Sequence, residues 1–315
     1  MIMKKNNYFS VVIPLYNKVK YIKRSIQSVL NQSYTYFEII VVNDGSTDGS
    51  EFLVNEFSNE KIKLINQSNL GVSSARNNGV KNASFEYVVF LDADDEWTPT
   101  FLESINNLIN KFPNSGIYAT NNYFIFPNGK KKCEDYKTLF TNSEVGIIDD
   151  YFKIFANRGK SPFSNSNFCM PKKVFLEYGG YKLGVNLTED SDLWCRIAFR
   201  EKIAFDIRPQ AIYYLETENN SNVLFVKEEY EVIKTLKDAI AHNGYNAKYI
   251  PSIKKLIAFQ QLSYAKRALL TNNKKQAFTT LFTNNIVYYY TIDFLKCLLI
   301  FFLPSFLIEV IRRNK

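Results

Sequence analysis

Three carboxylates crowd one short stretch of the chain, Phe90-Leu91-Asp92-Ala93-Asp94-Asp95, directly after the apolar run Tyr87-Val88-Val89. Carboxylates packed this closely repel one another, and a fold tolerates them best when a cation neutralises them. A hard divalent cation such as Mg²⁺ or Mn²⁺ prefers oxygen ligands and usually shares them with substrate phosphates. The plain alternative is an acidic loop that caps a helix spanning Pro99 to Lys111.

Three other segments bring polar groups to comparable positions. Pro14 ends the first apolar run, so Tyr16 and Asn17 should emerge at its carboxyl end. A tyrosine there can stack on a nucleobase; otherwise Asn17 is an ordinary helix cap. Asn43-Asp44-Gly45-Ser46-Thr47-Asp48 follows the second run. Asp44 can accept the imide N–H of uracil, while Ser46, Thr47 or Asp48 caps a helix. In Asn69-Leu70-Gly71-Val72-Ser73-Ser74-Ala75-Arg76, Gly71 allows close backbone approach and the serines cap. Arg76, one turn in, suits a diphosphate or a base carbonyl, or is a surface arginine.

The elements that must position these groups alternate in type. Strands are expected at Phe9–Ile13, Phe37–Val42, Lys61–Ile65 and Tyr87–Leu91. Helices fall between them: one carries Val19, Ile22, Ile26, Val29 and Leu30 on a single face, one ends near Phe57, and one spans Gly71–Ala83. Short apolar strands alternating with helices predict an α/β fold with a mostly parallel sheet covered on both faces. Ligands of such sheets bind beyond the carboxyl ends of the strands, where the polar groups above fall. The segment from Gly116 to Leu215 is less regular, with strands at 116–126 and 204–215 and helices at 171–178 and 190–200. Beyond residue 222, helical periodicity dominates at 223–243, 250–271 and 274–284. Asn219-Asn220-Ser221-Asn222 is the linker candidate. The expected division is 1–220 as the nucleotide-binding and catalytic domain, 221–285 as a helical extension and 286–315 as an apolar and basic tail.

Composition narrows the classes. Hydrophobic residues make up 46% of the 315, which excludes a disordered chain. Cys133, Cys169, Cys195 and Cys297 form no CxxC pair, so neither a zinc site nor a disulfide framework is indicated, and a reducing compartment is the default. Residues 1–10 lack the apolar core of a signal peptide. The net charge of +8 lies entirely in residues 223–315, which hold 14 Lys and Arg against 6 Asp and Glu. The same third carries Cys297–Ile308, the most apolar stretch. That pairing points to an anionic membrane surface, and no nucleic-acid motif accompanies the charge. The stretch is short, is interrupted by Pro304 and lies between Lys296 and Glu309. It is therefore expected to lie in the interface with Arg312, Arg313 and Lys315 at the headgroups, or else to pack on protein or on a second copy.

Taken together, Ser10-Val11-Val12-Ile13-Pro14-Leu15-Tyr16-Asn17, Asn43-Asp44-Gly45-Ser46-Thr47-Asp48, Asn69-Leu70-Gly71 with Ala75-Arg76-Asn77, and Asp92-Ala93-Asp94-Asp95 resemble the successive signatures of family 2 glycosyltransferases of the GT-A fold. Gly179-Gly180-Tyr181 and Thr188-Glu189-Asp190-Ser191-Asp192-Leu193-Trp194-Cys195-Arg196 resemble that family's Glu-Asp motif and its following Leu-Trp-x-Arg. The resemblance covers residues 8–215. It implies inverting transfer of a sugar from a nucleotide diphosphate sugar, UDP-linked, to an acceptor hydroxyl in glycan biosynthesis.

The resemblance also implies roles. Pro14, Tyr16, Asn17, Asp44, Arg76, Asp92 and Ala93 fall at donor-binding positions, and Asp94 with Asp92 would hold a divalent cation, Mn²⁺ or Mg²⁺. Asp190 falls at the catalytic base, with Asp95, Glu189 and Trp194 on the acceptor side. A carboxylate of pKa ~4 cannot deprotonate an alcohol in advance, so proton transfer must accompany attack. Glu189 and Asp192 compete for the role, although Asp192 faces away from Glu189 at helical spacing and reads as a solvated or helix-N-terminal charge. The usual Asp-Asp before Gly-Ser is Asn43-Asp44 here. The single histidine, His242, reads as a helix C-terminal residue rather than a ligand. The expected partners are the donor, a glycan or lipid-linked acceptor, the inner face of the cell membrane and a second copy of the chain, with no nucleic acid. The rivals are a non-catalytic binder of the same fold, against which the retained acids speak, and a sugar nucleotidyltransferase. The latter needs a glycine-rich basic loop where Pro14-Leu15-Tyr16-Asn17-Lys18 stands. A dinucleotide oxidoreductase lacks its GxGxxG.

Overall fold

A computed structural model describes residues 6–185, 187–215, 228–242, 246–271, 273–282 and 286–303. The linker candidate at 219–222 and the tail beyond residue 303, with Arg312, Arg313 and Lys315, lie outside the described residues. The chain divides into two compact units, Met1–Asp149 with Pro162–Asn219, and Asp150–Ser161 with Asn220–Lys315. The short segment Asp150–Ser161 thus belongs with the C-terminal helices.

The first unit is a mixed α/β layer structure. Its strands are β1 (Phe9–Leu15), β2 (Phe37–Asp44), β3 (Ile62–Gln67), β4 (Tyr87–Phe90), β5 (Glu96–Trp97), β6 (Ile117–Ile125), β7 (Lys131–Cys133), β8 (Val145–Ile147), β9 (Phe168–Pro171) and β10 (Ile203–Tyr214). They form one sheet of order β3-β2-β1-β4-β9-β6-β10-β5, with β7 on β6 and β8 on β10. The pairs β3-β2-β1-β4 and β6-β10 are parallel, and β9 runs antiparallel between β4 and β6. The helices of this unit are α1 (Ile22–Leu30), α2 (Ser50–Asn55), α3 (Val72–Lys81), α4 (Phe101–Lys111), α6 (Lys172–Glu177) and α7 (Glu189–Ala198). Every residue of β1 is buried, as expected of a central parallel strand.

Pro14 does not end the first strand. It continues the register opposite Val42 of β2. On the other side, β4 stops at Phe90, and the last link is Leu91 N–H to the Val12 carbonyl. Pro14 shares the orientation of Val12, so its missing N–H falls where β4 has already ended.

The second unit holds α5 (Tyr151–Arg158), α8 (Glu231–His242), α9 (Ile250–Leu270), α10 (Lys274–Phe282) and α11 (Ile286–Phe302). Leu262, Ala265, Leu269, Ala277, Leu281, Ile286, Phe294 and Cys297 make a core shared by α9, α10 and α11. His242 is the last residue of α8, its ring nitrogen 2.9 Å from the Asp238 carbonyl. Among the described residues no helix is long and apolar enough to cross a membrane.

Candidate active site

The loops after β1 and β2 are stitched together. Asn17, in the left-handed region at φ 50°, donates its N–H to Ser46 Oγ, and its side-chain oxygen accepts from Thr47 N–H at 2.8 Å. The N–H groups of Lys18 and Val19 donate to Ser50 Oγ and Asp48 Oδ2. Asn17, Asp48 and Ser50 thus fix the edge from which Tyr16, 44% exposed, projects. Of the expected donor contacts here, Tyr16 is open to a ligand. Pro14 lies buried in β1, and the Asn17 oxygen is used in binding the next loop.

Asp44 is buried as well. Its two oxygens accept from Gln67 Nε2, Leu70 N–H and Gly71 N–H, all at 2.8 Å. This geometry gives Asp44 a structural role, holding the turn before α3. Gly71, at φ 89°, makes that turn possible.

The acidic run splits in three directions. Asp94 Oδ2 lies 2.6 Å from Lys18 Nζ. Asp92 Oδ1 lies 2.8 Å from Arg76 Nη2. Asp95 points into the protein, where it accepts from Ser166 Oγ at 2.5 Å and from Tyr214 N–H at 3.2 Å. Burial, and then Asp94 and Asp92, push the Asp95 carboxyl well above its ordinary range. Asp95 therefore pins the end of β10 and is not an acceptor-side group. Ala93 is buried in the core, which leaves only its backbone for a donor. The run does not cap α4. The two-residue strand β5 intervenes, pairing with Ala211 and Ile212 of β10.

Arg76 joins the acidic run to the second acidic motif. It is buried, 2.8 Å from Asp92 and 3.3 Å from Glu189 Oε1, with Tyr181 5.2 Å beneath it. Burial opposes its charge, but Asp92, Tyr181 and Glu189 hold its pKa above the ordinary arginine value. It is therefore an interior bridge and not a surface arginine. Asn77 holds Tyr181 from the same helix, its amide donating to the Tyr181 carbonyl and accepting the Tyr181 N–H.

Glu189 and Asp190 open α7 just after Thr188, which takes the left-handed conformation at φ 66°. A non-glycine residue there is strained, and such strain gathers at functional sites. Burial, then Asp190, raise the Glu189 carboxyl to about 7 against the pull of Arg76. Burial also raises Asp190, opposed by the hydrogen bonds from Ser191 and by Arg76. Asp190 Oδ1 accepts from Ser191 N–H at 2.5 Å.

Asp192 stands in the first turn of α7, as the helix-N-terminal alternative had it, but it is fully buried rather than solvated. It pairs with Arg196 one turn on, at 2.8 Å, and with Lys182 at 3.3 Å. Arg196 in turn donates to the carbonyls of Tyr178 and Gly180. This pair clamps the Gly179-Gly180-Tyr181 turn that sets the Tyr181 ring under Arg76. Trp194 is buried edge-on against Phe163 and Phe168, so it supports the motif from within rather than facing an acceptor.

Sequence reasoning missed Lys18 and Ser166. Lys18 follows Asn17 directly, and only its proximity to Asp94 in space gives it a role. Ser166 links Asp92 N–H with Asp95, and its carbonyl accepts from Trp97 Nε1 at 2.6 Å. The polar run Ser164-Asn165-Ser166-Asn167 was the available signal.

The chain belongs to glycosyl transferase family 2, whose sequence pattern matches residues 10–175. It is 28% identical over 304 residues to RT0329 of Rickettsia typhi, an uncharacterised glycosyltransferase, covering 91% of this chain and 93% of that one. It is 40% identical over 147 residues to WfgD of Escherichia coli, a UDP-Glc:alpha-D-GlcNAc-diphosphoundecaprenol beta-1,3-glucosyltransferase. That match covers 44% of this chain and 57% of WfgD. The fold is similar to Staphylococcus aureus TarS residues 1–349, solved with UDP-GlcNAc, at a TM-score of 0.68 and 18% identity over 87% of this chain and 79% of that one. The architecture is thus of the GT-A type, and the protein is an enzyme of the transferase class.

Proposed function

We propose that the enzyme moves a hexosyl or N-acetylhexosaminyl unit from a UDP-linked donor to an acceptor hydroxyl, with inversion at the anomeric carbon. The observation that carries this reading is the Arg76 bridge, which ties Asp92 of the donor-side acids to Glu189, the neighbour of Asp190. One buried group thereby joins the proposed donor-side acids to the start of the helix that carries Asp190. In an in-line displacement the acceptor oxygen attacks the anomeric carbon from the face opposite the departing diphosphate, so inversion follows from a single step. Asp190 takes the hydroxyl proton as the bond forms. Burial raises its basicity above that of a solvated aspartate, which improves the match to an alcohol proton. Tyr16 offers a face for the base, and Asp44 keeps the Leu70–Gly71 turn in place.

The oxygen donors fit a hard divalent cation. Asp92 and Asp94 remain partly exposed, each balanced by a cationic side chain, and among the described residues no group of three His, Cys, Asp or Glu is arranged to cage a metal. Two carboxylates suit an ion that completes its shell with diphosphate and water. Asp94 and Asp92 would hold Mg²⁺ or Mn²⁺, which when bound neutralises the charge of the leaving diphosphate.

The acceptor in this reading is a glycan or a lipid-linked saccharide at the inner membrane surface. The match to WfgD, whose acceptor is a diphosphoundecaprenol-linked sugar, and the basic last third of the chain support it. The test is a panel of nucleotide sugars with Mn²⁺ or Mg²⁺, with and without lipid-linked acceptors. Acceptor-dependent UDP release and a product of opposite anomeric configuration are expected. Transfer with retained configuration, or no transfer from any nucleotide sugar, would overturn the reading.

A further inference from the structure

We propose that α11 is the surface that meets the lipid, lying flat in the interface of an anionic bilayer through the side chains of Tyr288, Ile292, Leu295, Leu299 and Phe302. This rests on the membrane-surface reading above and assigns it to one helix face within the described residues. Beyond the break at Tyr290, Ile292, Leu295, Leu299 and Phe302 are separated by three, four and three residues, the spacing of a single helical stripe, and Tyr288 is exposed just before it. All are between 52% and 81% exposed. The opposite face is fully engaged: Ile286, Phe294 and Cys297 are buried against α9 and α10. The helix therefore has one apolar face spent on its own core and a second left outward. An apolar stripe of this length on a soluble surface marks a contact.

Charge decides the occupant. Lys296 sits beside Leu295 on α11, 64% exposed, and Lys266 stands across from it, both near Asp293 at 3.7 and 3.3 Å. Lys274 lies at the far end, donating to the Leu303 carbonyl at 2.8 Å. Residues 223–315 carry a net +8. A second copy would set this basic surface against itself, whereas anionic headgroups are attracted to it at about 1 kcal/mol per basic residue near the surface. Tyr288, exposed at the start of the helix, suits the headgroup level that tyrosines favour, while Tyr289 and Tyr290 pack on the helical core. The helix is broken at Tyr290, with φ −140° and ψ 51°, and among the described residues no helix is long and apolar enough to cross a membrane, so the proposed contact lies in the plane.

The test uses the full chain and sedimentation with vesicles of phosphatidylcholine, with and without phosphatidylglycerol. Wild type should sediment with the phosphatidylglycerol vesicles and not with phosphatidylcholine alone. The double variant Ile292→Glu/Leu299→Glu should lose at least tenfold in vesicle affinity while keeping its melting temperature, because both side chains are already exposed. If wild type binds and the double variant binds equally well, the membrane reading stands but this helix face is not the contact. If wild type binds no vesicle, both ideas fall. A wild-type dimer that the double variant converts to monomer, with no vesicle binding, would assign the stripe to a second copy instead.

Discussion

Arg76 Nη2 lies 2.8 Å from Asp92 Oδ1, buried beneath the loop that carries the acidic run. The same guanidinium reaches Glu189 at 3.3 Å, so a single cation balances two carboxylates from segments nearly a hundred residues apart. Removing one partner of a buried pair leaves charge without compensation, at a cost of about 3–5 kcal/mol. Asp92 is partly exposed, so Arg76→Met should fall at the low end, about 3 kcal/mol, in urea denaturation at unchanged m-value. Arg76→Lys keeps the charge but loses the planar fork, and should be intermediate in both stability and turnover. A loss of under about 1 kcal/mol for the Met variant would mean that the bridge is incidental.

Asp190→Asn keeps shape and removes the proposed proton acceptor. Donor affinity should survive, while acceptor-dependent transfer falls by roughly 10²–10⁴-fold, the usual worth of a positioned base. Titration calorimetry with the nucleotide sugar and an assay of UDP release separate the two quantities. Near-wild-type transfer would move the role to Glu189.

Much of the fold was legible because the strands of the first half are short, apolar and separated by helices with clear faces. The Glu-Asp motif was legible as a string, but its physical logic was not. Asp192 was expected as a solvated charge or a helix-N-terminal one, and it stands in the first turn of α7 but buried. Its burial depends on Arg196 and on the Gly179–Tyr181 turn coming together, which no local pattern encodes. Asp95 misled for a related reason: a carboxylate near a site looks the same in sequence whether it faces a ligand or accepts from groups inside the protein. Pro14 misled because its tolerance depends on where the neighbouring strand β4 stops. The membership of Asp150–Ser161 in the helical unit rests on packing against α9, far along the chain.

Asp94 and Lys18 give the metal reading its own test. Asp94→Ala should abolish turnover and weaken Mn²⁺ binding, as should excess chelator with the wild-type enzyme, because the diphosphate charge is then uncompensated. Lys18→Met removes the cation 2.6 Å from Asp94 and leaves that carboxylate freer for a metal. Mn²⁺ binding in the absence of nucleotide, followed by electron paramagnetic resonance, should therefore tighten severalfold. Full wild-type activity in chelator would remove the cation from the mechanism.

The acidic pair predicts two separable pH effects. Glu189 is raised to about 7 by burial and Asp190, so between the ordinary glutamate value of ~4.3 and 7 the folded protein holds a proton that the unfolded chain has released. Its contribution to stability is then present on the acid side and is lost as pH rises through 7. Glu189→Gln removes this titration, and the melting temperature of the variant relative to wild type should rise between pH 6 and pH 8. Activity follows a different group. Asp190 must be ionised to accept a proton, and its pKa is also raised, so transfer should decline on acidification. In Glu189→Gln that acid limb should persist, because the proposed base remains. Activity that collapses at every pH in Glu189→Gln, with a wild-type limb centred near 7, would make Glu189 the base and leave Asp190 as its neighbour.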